Sequence, residues 1–279
     1  MRHTLCAFVF GFLLVTGTQS NCAALTFRAA MDPIRLQGLP GQIFTRHFTL
    51  TLGKNEARTR FRVRVEDWWR SEDNRQSYYK EPGTLSHSCG MWTKVNPVEP
   101  SVEPGATLDV RISVAIPGAA KSGGYWCALT LDEVPDPLQA QPHGVGVRLL
   151  TSLSVGIYIN VVPVHRAATI SEVALVDDMA TVKVHNDGDC PLNVEGRFEF
   201  LRPNEQKPFA TAPLSRSTLL TEPIDTIRMT AQLPDSAVLP PGRYLVRAIL
   251  DIGLDHYIGV QKEMEIRRET PSSTTSDRK

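Results

Sequence analysis

From Thr107 to Val114 the chain alternates: Leu108, Val110, Ile112 and Val114 stand between Thr107, Asp109, Arg111 and Ser113. A period of two is that of a strand with one buried and one wet face, and a helix cannot gather those four apolar residues on one side. Pro104-Gly105 before it and Pro117-Gly118 after it supply turn chemistry, so the strand is bounded at both ends. The same alternation predicts a strand over Arg58 to Asp67, with Phe61, Val63 and Val65 set against Arg58, Arg60, Arg62, Arg64 and Glu66. It predicts another over Leu149 to Val161, where Leu149, Leu153, Val155, Ile157, Ile159 and Val161 share a face. Ahead of these, Ile34 and Leu36 open a strand, Leu39-Pro40-Gly41 turns it, and Phe44, Phe48, Leu50 and Leu52 form the next. Tyr125 to Leu131, behind Gly123-Gly124, is rich in aromatic and apolar residues, and Trp92 and Trp126 are large enough to anchor the space between two sheets. Arg70 to Ser88 is polar and predicts a long connection, and Pro135 to Gly146 predicts an exposed loop.

The second half repeats the logic with fewer aromatics. Ile170 to Val176, Ala180 to Val184, Val194 to Leu201, Ile224 to Leu233, Tyr244 to Leu250 and His256 to Ile266 read as strands, with a turn at His185-Asn186-Asp187-Gly188-Asp189. The unit of a Pro-Gly turn followed by an alternating strand recurs at Pro241-Gly242, which suggests two copies of one architecture. The expected fold class is all-β: two tandem Ig-like β-sandwich domains after a cleaved signal peptide.

The boundaries follow. Residues 1–24 have a short polar start, an apolar run from Leu5 to Val15 and a small or polar finish, the layout of a secretory leader. Cleavage after Ser20 retains Cys22 and cleavage after Ala24 removes it. Residues 25–164 form the first Ig-like domain, 165–268 the second, and 269–279, Ser/Thr-rich with Pro271, a disordered tail. No second apolar run has spanning length, so no transmembrane segment is expected after leader removal. Lys and Arg number 30, as do Asp and Glu, so no net charge draws the chain to nucleic acid or to an anionic membrane.

The candidate chemistry is sparse. Cys89 and Cys127, 127 − 89 = 38 positions apart and each beside an aromatic, either form a disulfide in an exported chain or pack as two buried thiols. Cys190 is a buried thiol or a mate for a retained Cys22. Arg60, Arg62 and Arg64 on one strand face are candidates for holding an anionic partner, against the alternative of a solvated face paired with neighbouring acids. Trp68, Trp69, Tyr78 and Tyr79 suit carbohydrate stacking if exposed and core packing if not. The carboxylate pairs Glu66/Asp67, Asp132/Glu133 and Asp177/Asp178 are adjacent in sequence, which on a strand sends them to opposite faces and spoils acid–base work. The 7 histidines are scattered without ligand spacing, and no nucleophile elbow appears. No catalytic residue, metal or cofactor is therefore expected.

Pro33-Ile34-Arg35-Leu36 leading to Pro40-Gly41, the Asp67-Trp68 strand end, Cys89-Gly90-Met91-Trp92, Pro104-Gly105 and Gly123-Gly124-Tyr125-Trp126 together resemble the first domain of bacterial exported Ig-like proteins related to periplasmic pilus-assembly chaperones. They are similar also to the peptidoglycan-binding domain of WxL-associated surface proteins. The resemblance implies a non-enzymatic binding or assembly protein of the cell envelope, in the periplasm or at the surface. Its partner would be an envelope or surface protein subunit, or a cell-wall glycan. A chaperone-like version would offer Leu153, Val155, Ile157 and Ile159 as a donated strand, their alternative being the inner face of the domain's own last strand. Pilus chaperones hold a subunit's carboxyl terminus with a basic pair in a cleft, and the sequence assigns no position to that pair. An envelope hydrolase is the remaining alternative.

Overall fold

The computed structural model describes residues 25–29, 32–135, 149–176 and 178–266. The predicted leader with Cys22, most of the predicted loop at Pro135–Gly146, Asp177 and the tail lie outside the described residues. Those described form two β-sandwiches in tandem. In the first, one sheet has the order β1 (Phe27–Ala29), β3 (Ile43–Leu52), β8 (Thr107–Ala115), β6 (Thr93–Asn96). The facing sheet has the order β2 (Ile34–Gly38), β10 (Ser152–Val161), β9 (Gly123–Val134), β4 (Thr59–Arg70), β5 (Ser77–Lys80), with β7 (Ser101–Val102) also on β4. The second sandwich sets β11 (Ala168–Val176), β12 (Met179–Asn186) and β15 (Thr226–Gln232) against β14 (Ala210–Leu219), β13 (Leu192–Leu201), β16 (Gly242–Asp251) and β17 (Ile258–Ile266). Neighbours are antiparallel except β10 and β2, which run parallel. No helix among the described residues is long and apolar enough to cross a membrane.

The alternation read from the sequence sets each core. Leu108, Val110, Ile112 and Val114 of β8 face Phe61, Val63, Leu129, Ile157 and Ile159 across the first sandwich. Val182, Val184, Phe198, Phe200, Val246 and Leu250 fill the second. A disulfide joins Cys89 and Cys127 within the first core, with Cα atoms 5.3 Å apart.

Three departures from the sequence reading have physical reasons. The predicted long connection at Arg70 to Ser88 contains β5, which pairs with Asp67–Arg70 as a hairpin whose four exposed residues lack the alternation that marks a buried face. β14 went unpredicted because Pro213 argues against a strand, yet β14 is the edge of its sheet, where proline is tolerated. Trp126 packs outside the first sandwich. Cys127, Leu129 and Leu131 of β9 point into the core, and the opposite face sends Trp126 and Ala128 to a third cluster with Trp68, Tyr158 and, from the second domain, Leu220. A strand buried on both faces reads as a continuous apolar run, which hides the second face.

Candidate binding cleft and strand edge

β4 outruns its sandwich, and its last residues build the wall of a cleft between the domains. Trp68 and Trp126 lock together through backbone, Trp126 Nε1 donating to Trp68 O at 2.7 Å and Trp68 Nε1 to Cys127 O at 3.3 Å. Trp68 meets Tyr158 of β10 edge-on, with ring centroids 6.2 Å apart. Burial raises the Tyr158 pKa, partly offset by the hydroxyl's hydrogen bond to Thr218 of the second domain, so the phenol stays neutral and anchored.

Two guanidinium groups lie on these rings. Arg35 of β2 sits 4.6 Å from the Tyr158 centroid and donates to Asn193 Oδ1 at 3.3 Å. Arg70 at the end of β4 sits 5.1 Å from the Trp68 ring and donates to Asn74 Oδ1 at 2.9 Å and Ser217 Oγ at 3.3 Å. Both therefore have neutral hydrogen-bond partners, and among the described residues neither is in an ion pair with a carboxylate. Arg216, which also lines the cleft, is paired with Glu195 at 2.6 Å. The compartment that Arg35, Arg70, Tyr79 and Tyr158 line holds about 340 Å³, and a second of about 310 Å³, lined by Arg35, Asn160 and Arg166, opens on the other side of Arg35. Two ring-supported cations in one cleft, Arg35 exposed and Arg70 half-buried, suit a carboxylate or another oxyanion.

One end of this cleft meets an open sheet edge. β10 pairs with β9 from Ser152 to Val161, but β2 covers its other side only from Ile157 to Val161. Among the described residues, Ser152 to Gly156 have no strand on that side, and Ser154, Val155 and Gly156 line the cleft. Just before β10, Leu149 and Leu150 are 62% and 49% exposed.

The residues singled out from the sequence fall as follows. Leu153, Val155, Ile157 and Ile159 are 8%, 3%, 0% and 0% exposed and sit in the core of their own sandwich, so only the backbone of the first two is open to a partner. Arg62 pairs with Glu99 at 3.2 Å, and Arg64 with Asp132 at 2.7 Å and Glu66 at 2.9 Å, while Arg60 is exposed beside Val134 and Ser101. That stripe is largely neutralised by its neighbours. Buried Asp67 accepts from Leu85 N at 2.8 Å and from Ser88 Oγ, holding the loop that leads to Cys89. Asp132 is taken by Arg64 and Ser152, and Glu133 accepts from Thr151 N. No group of three or more His, Cys, Asp or Glu among the described residues could hold a metal ion. Trp68 is buried in the domain junction, whereas Trp69 stacks on Tyr78, and Tyr78 and Tyr79 are 41% and 43% exposed.

Arg35, Arg70, Tyr158 and Asn193 were not singled out from the sequence as site residues. Arg35 lay inside the Pro33-Ile34-Arg35-Leu36 motif and Arg70 directly after Trp68-Trp69, but their convergence spans elements that no local pattern links.

Three solved structures resemble this chain. The class 5 fimbriae chaperone CfaA is 11% identical, with a TM-score of 0.48 over 85% of this chain and 99% of that one. The Pseudomonas aeruginosa CupB2 chaperone is 9% identical, with a TM-score of 0.44 over 86% and 100%. The E. coli chaperone DraB is 13% identical, with a TM-score of 0.41 over 87% and 99%. No protein-family model and no curated protein matches the chain. Similarity this low carries nothing to the cleft, whose reading rests on its own geometry.

Proposed function

We propose that this is an exported, non-enzymatic assembly protein, built from modules at 25–164 and 165–268, that holds an extended segment of an envelope or surface protein subunit. The segment adds a strand beside Ser152–Gly156 of β10 and anchors its terminal carboxylate on Arg35 and Arg70. The observation that carries the reading is the continuity of the two features: the open backbone edge ends where β2 begins, at the two unneutralised guanidinium groups. Main-chain hydrogen bonds to the edge supply affinity with little sequence demand. The cleft sets direction, because a segment parallel to β10 delivers its carboxyl end to the cleft and an antiparallel one delivers its amino end.

A nitrogen-15 NMR titration with a short peptide of alternating valine and threonine tests this, comparing the free acid with the C-terminal amide. The free acid is expected to shift amides from Ser152 to Gly156 and around Arg35. Amidation should cost about tenfold in affinity, the loss of one charge-assisted hydrogen bond at about 1.5 kcal/mol. Arg35→Ala and Arg70→Ala should remove the preference for the acid without touching amide binding. Equal affinity for acid and amide, or shifts confined to another surface, would sink the proposal. Cell-wall glycan is the second reading, favoured by the stacked Trp69 and Tyr78 and the exposed Tyr79. Under it, soluble peptidoglycan fragments shift the β5 resonances and the peptide does not.

A further inference from the structure

In the second domain Lys183 on β12 and Arg228 on β15 stand directly opposite each other. Like charges so placed repel. Here both reach one carboxylate oxygen of Glu72, at 2.9 Å and 3.5 Å, and Glu72 lies in the turn between β4 and β5 of the first domain. The backbone adds to the contact, since the Arg228 N–H donates to the Glu72 carbonyl at 2.7 Å. Asn74 gives the turn its shape with φ at +57°, accepts from Arg70 and donates to Ser217 Oγ at 3.1 Å. At the other end of the junction the Gly124 N–H donates to Asp189 O at 2.7 Å. The two cleft cations depend on this docking, because Asn193, which holds Arg35, and Ser217, which holds Arg70, both belong to the second domain.

We propose that Glu72 is a latch between the domains and, through their angle, a positioning residue for Arg35 and Arg70. Opposed cations in the second domain are a receptor for one carboxylate from the first, and the docked state is the one in which their repulsion is relieved. The positioning half rests on the cleft reading above, and the latch itself does not.

Amide hydrogen exchange by NMR on the whole protein tests it. Glu72→Gln keeps the shape and removes the charge. Exchange of the Arg228 N–H should quicken about fivefold, the scale of a pair of partly exposed ion contacts, while amides of Val63 and Leu129 in the first core keep their rates. Raised salt should quicken Arg228 exchange in the wild type and leave the variant unmoved. Combining Glu72→Lys with Lys183→Glu should restore slow exchange. Affinity for the free-acid peptide should fall with the latch and return with the reversal. Unchanged Arg228 exchange in Glu72→Gln, or equal acceleration at every amide, overturns the latch, and faster exchange with undiminished peptide affinity overturns the positioning role. A wild type that ignores the peptide defeats the cleft reading while the exchange rates still decide the latch.

Discussion

Gly124 should tolerate no side chain at all. A Cβ there would lie 2.2 Å from Pro191 Cδ, 2.5 Å from Cys190 Cα and 2.7 Å from Cys190 Cβ. Ordinary carbon contacts are about 3.5–4.0 Å, so each atom is too close by roughly 1 Å. Neither neighbour can swing aside, because one is a proline ring and the other is a buried residue whose carbonyl is held by Asn186 Nδ2 at 2.9 Å. Alanine gains about 0.5–1 kcal/mol over glycine in a strand, whereas overpacking costs about 1–3 kcal/mol. The net expectation for Gly124→Ala is a loss of about 1–2 kcal/mol, borne by the domain junction. Urea unfolding followed in parallel by tryptophan fluorescence and far-ultraviolet circular dichroism separates the junction from the strands, since Trp68 and Trp126 both sit in the interdomain cluster. The fluorescence transition should move to lower urea and run ahead of the loss of strand signal. Coincident transitions at the wild-type midpoint, with unchanged tryptophan emission, would refute the close-packed junction.

Replacing Cys89 and Cys127 together with alanine should cost on the order of 4 kcal/mol, because the bond closes a loop of 38 residues, and a thermal melt with and without reductant measures it. Arg64→Ser should cost less than about 1 kcal/mol in urea unfolding, since its pairs with Asp132 and Glu66 lie half in solvent, and should leave peptide binding unaltered. His185 is bracketed by Asp187 at 2.8 Å and Asp225 at 3.2 Å. The hydrogen bond to Asp187 foremost, joined by the charge of Asp225, lifts its pKa above the ordinary value against the opposing desolvation. The folded state thus holds the proton more tightly than the unfolded chain, so its contribution is complete below about pH 6.5 and fades as pH rises through the raised value. The stability difference between wild type and His185→Gln should be largest below about pH 6.5 and shrink as the pH is raised above it.

The sequence by itself determined which residues face inward on β4, β8, β10 and β16, where the Pro-Gly turns interrupt them, and that the chain is built of strands. Those are local properties: a period of two and the backbone limits of proline and glycine act over a few residues and need no knowledge of what lies opposite. Tertiary structure alone decided that Arg64 is neutralised by Asp132, 68 positions away, while Arg35 and Arg70 meet no carboxylate among the described residues. It also decided that Trp126 belongs to the junction and that, among the described residues, Ser152 to Gly156 of β10 have a strand on one side only. Each of these depends on what is brought across from the residue by distant chain, and two arginines with identical strand patterning differ only in whether that neighbour is a carboxylate or an asparagine.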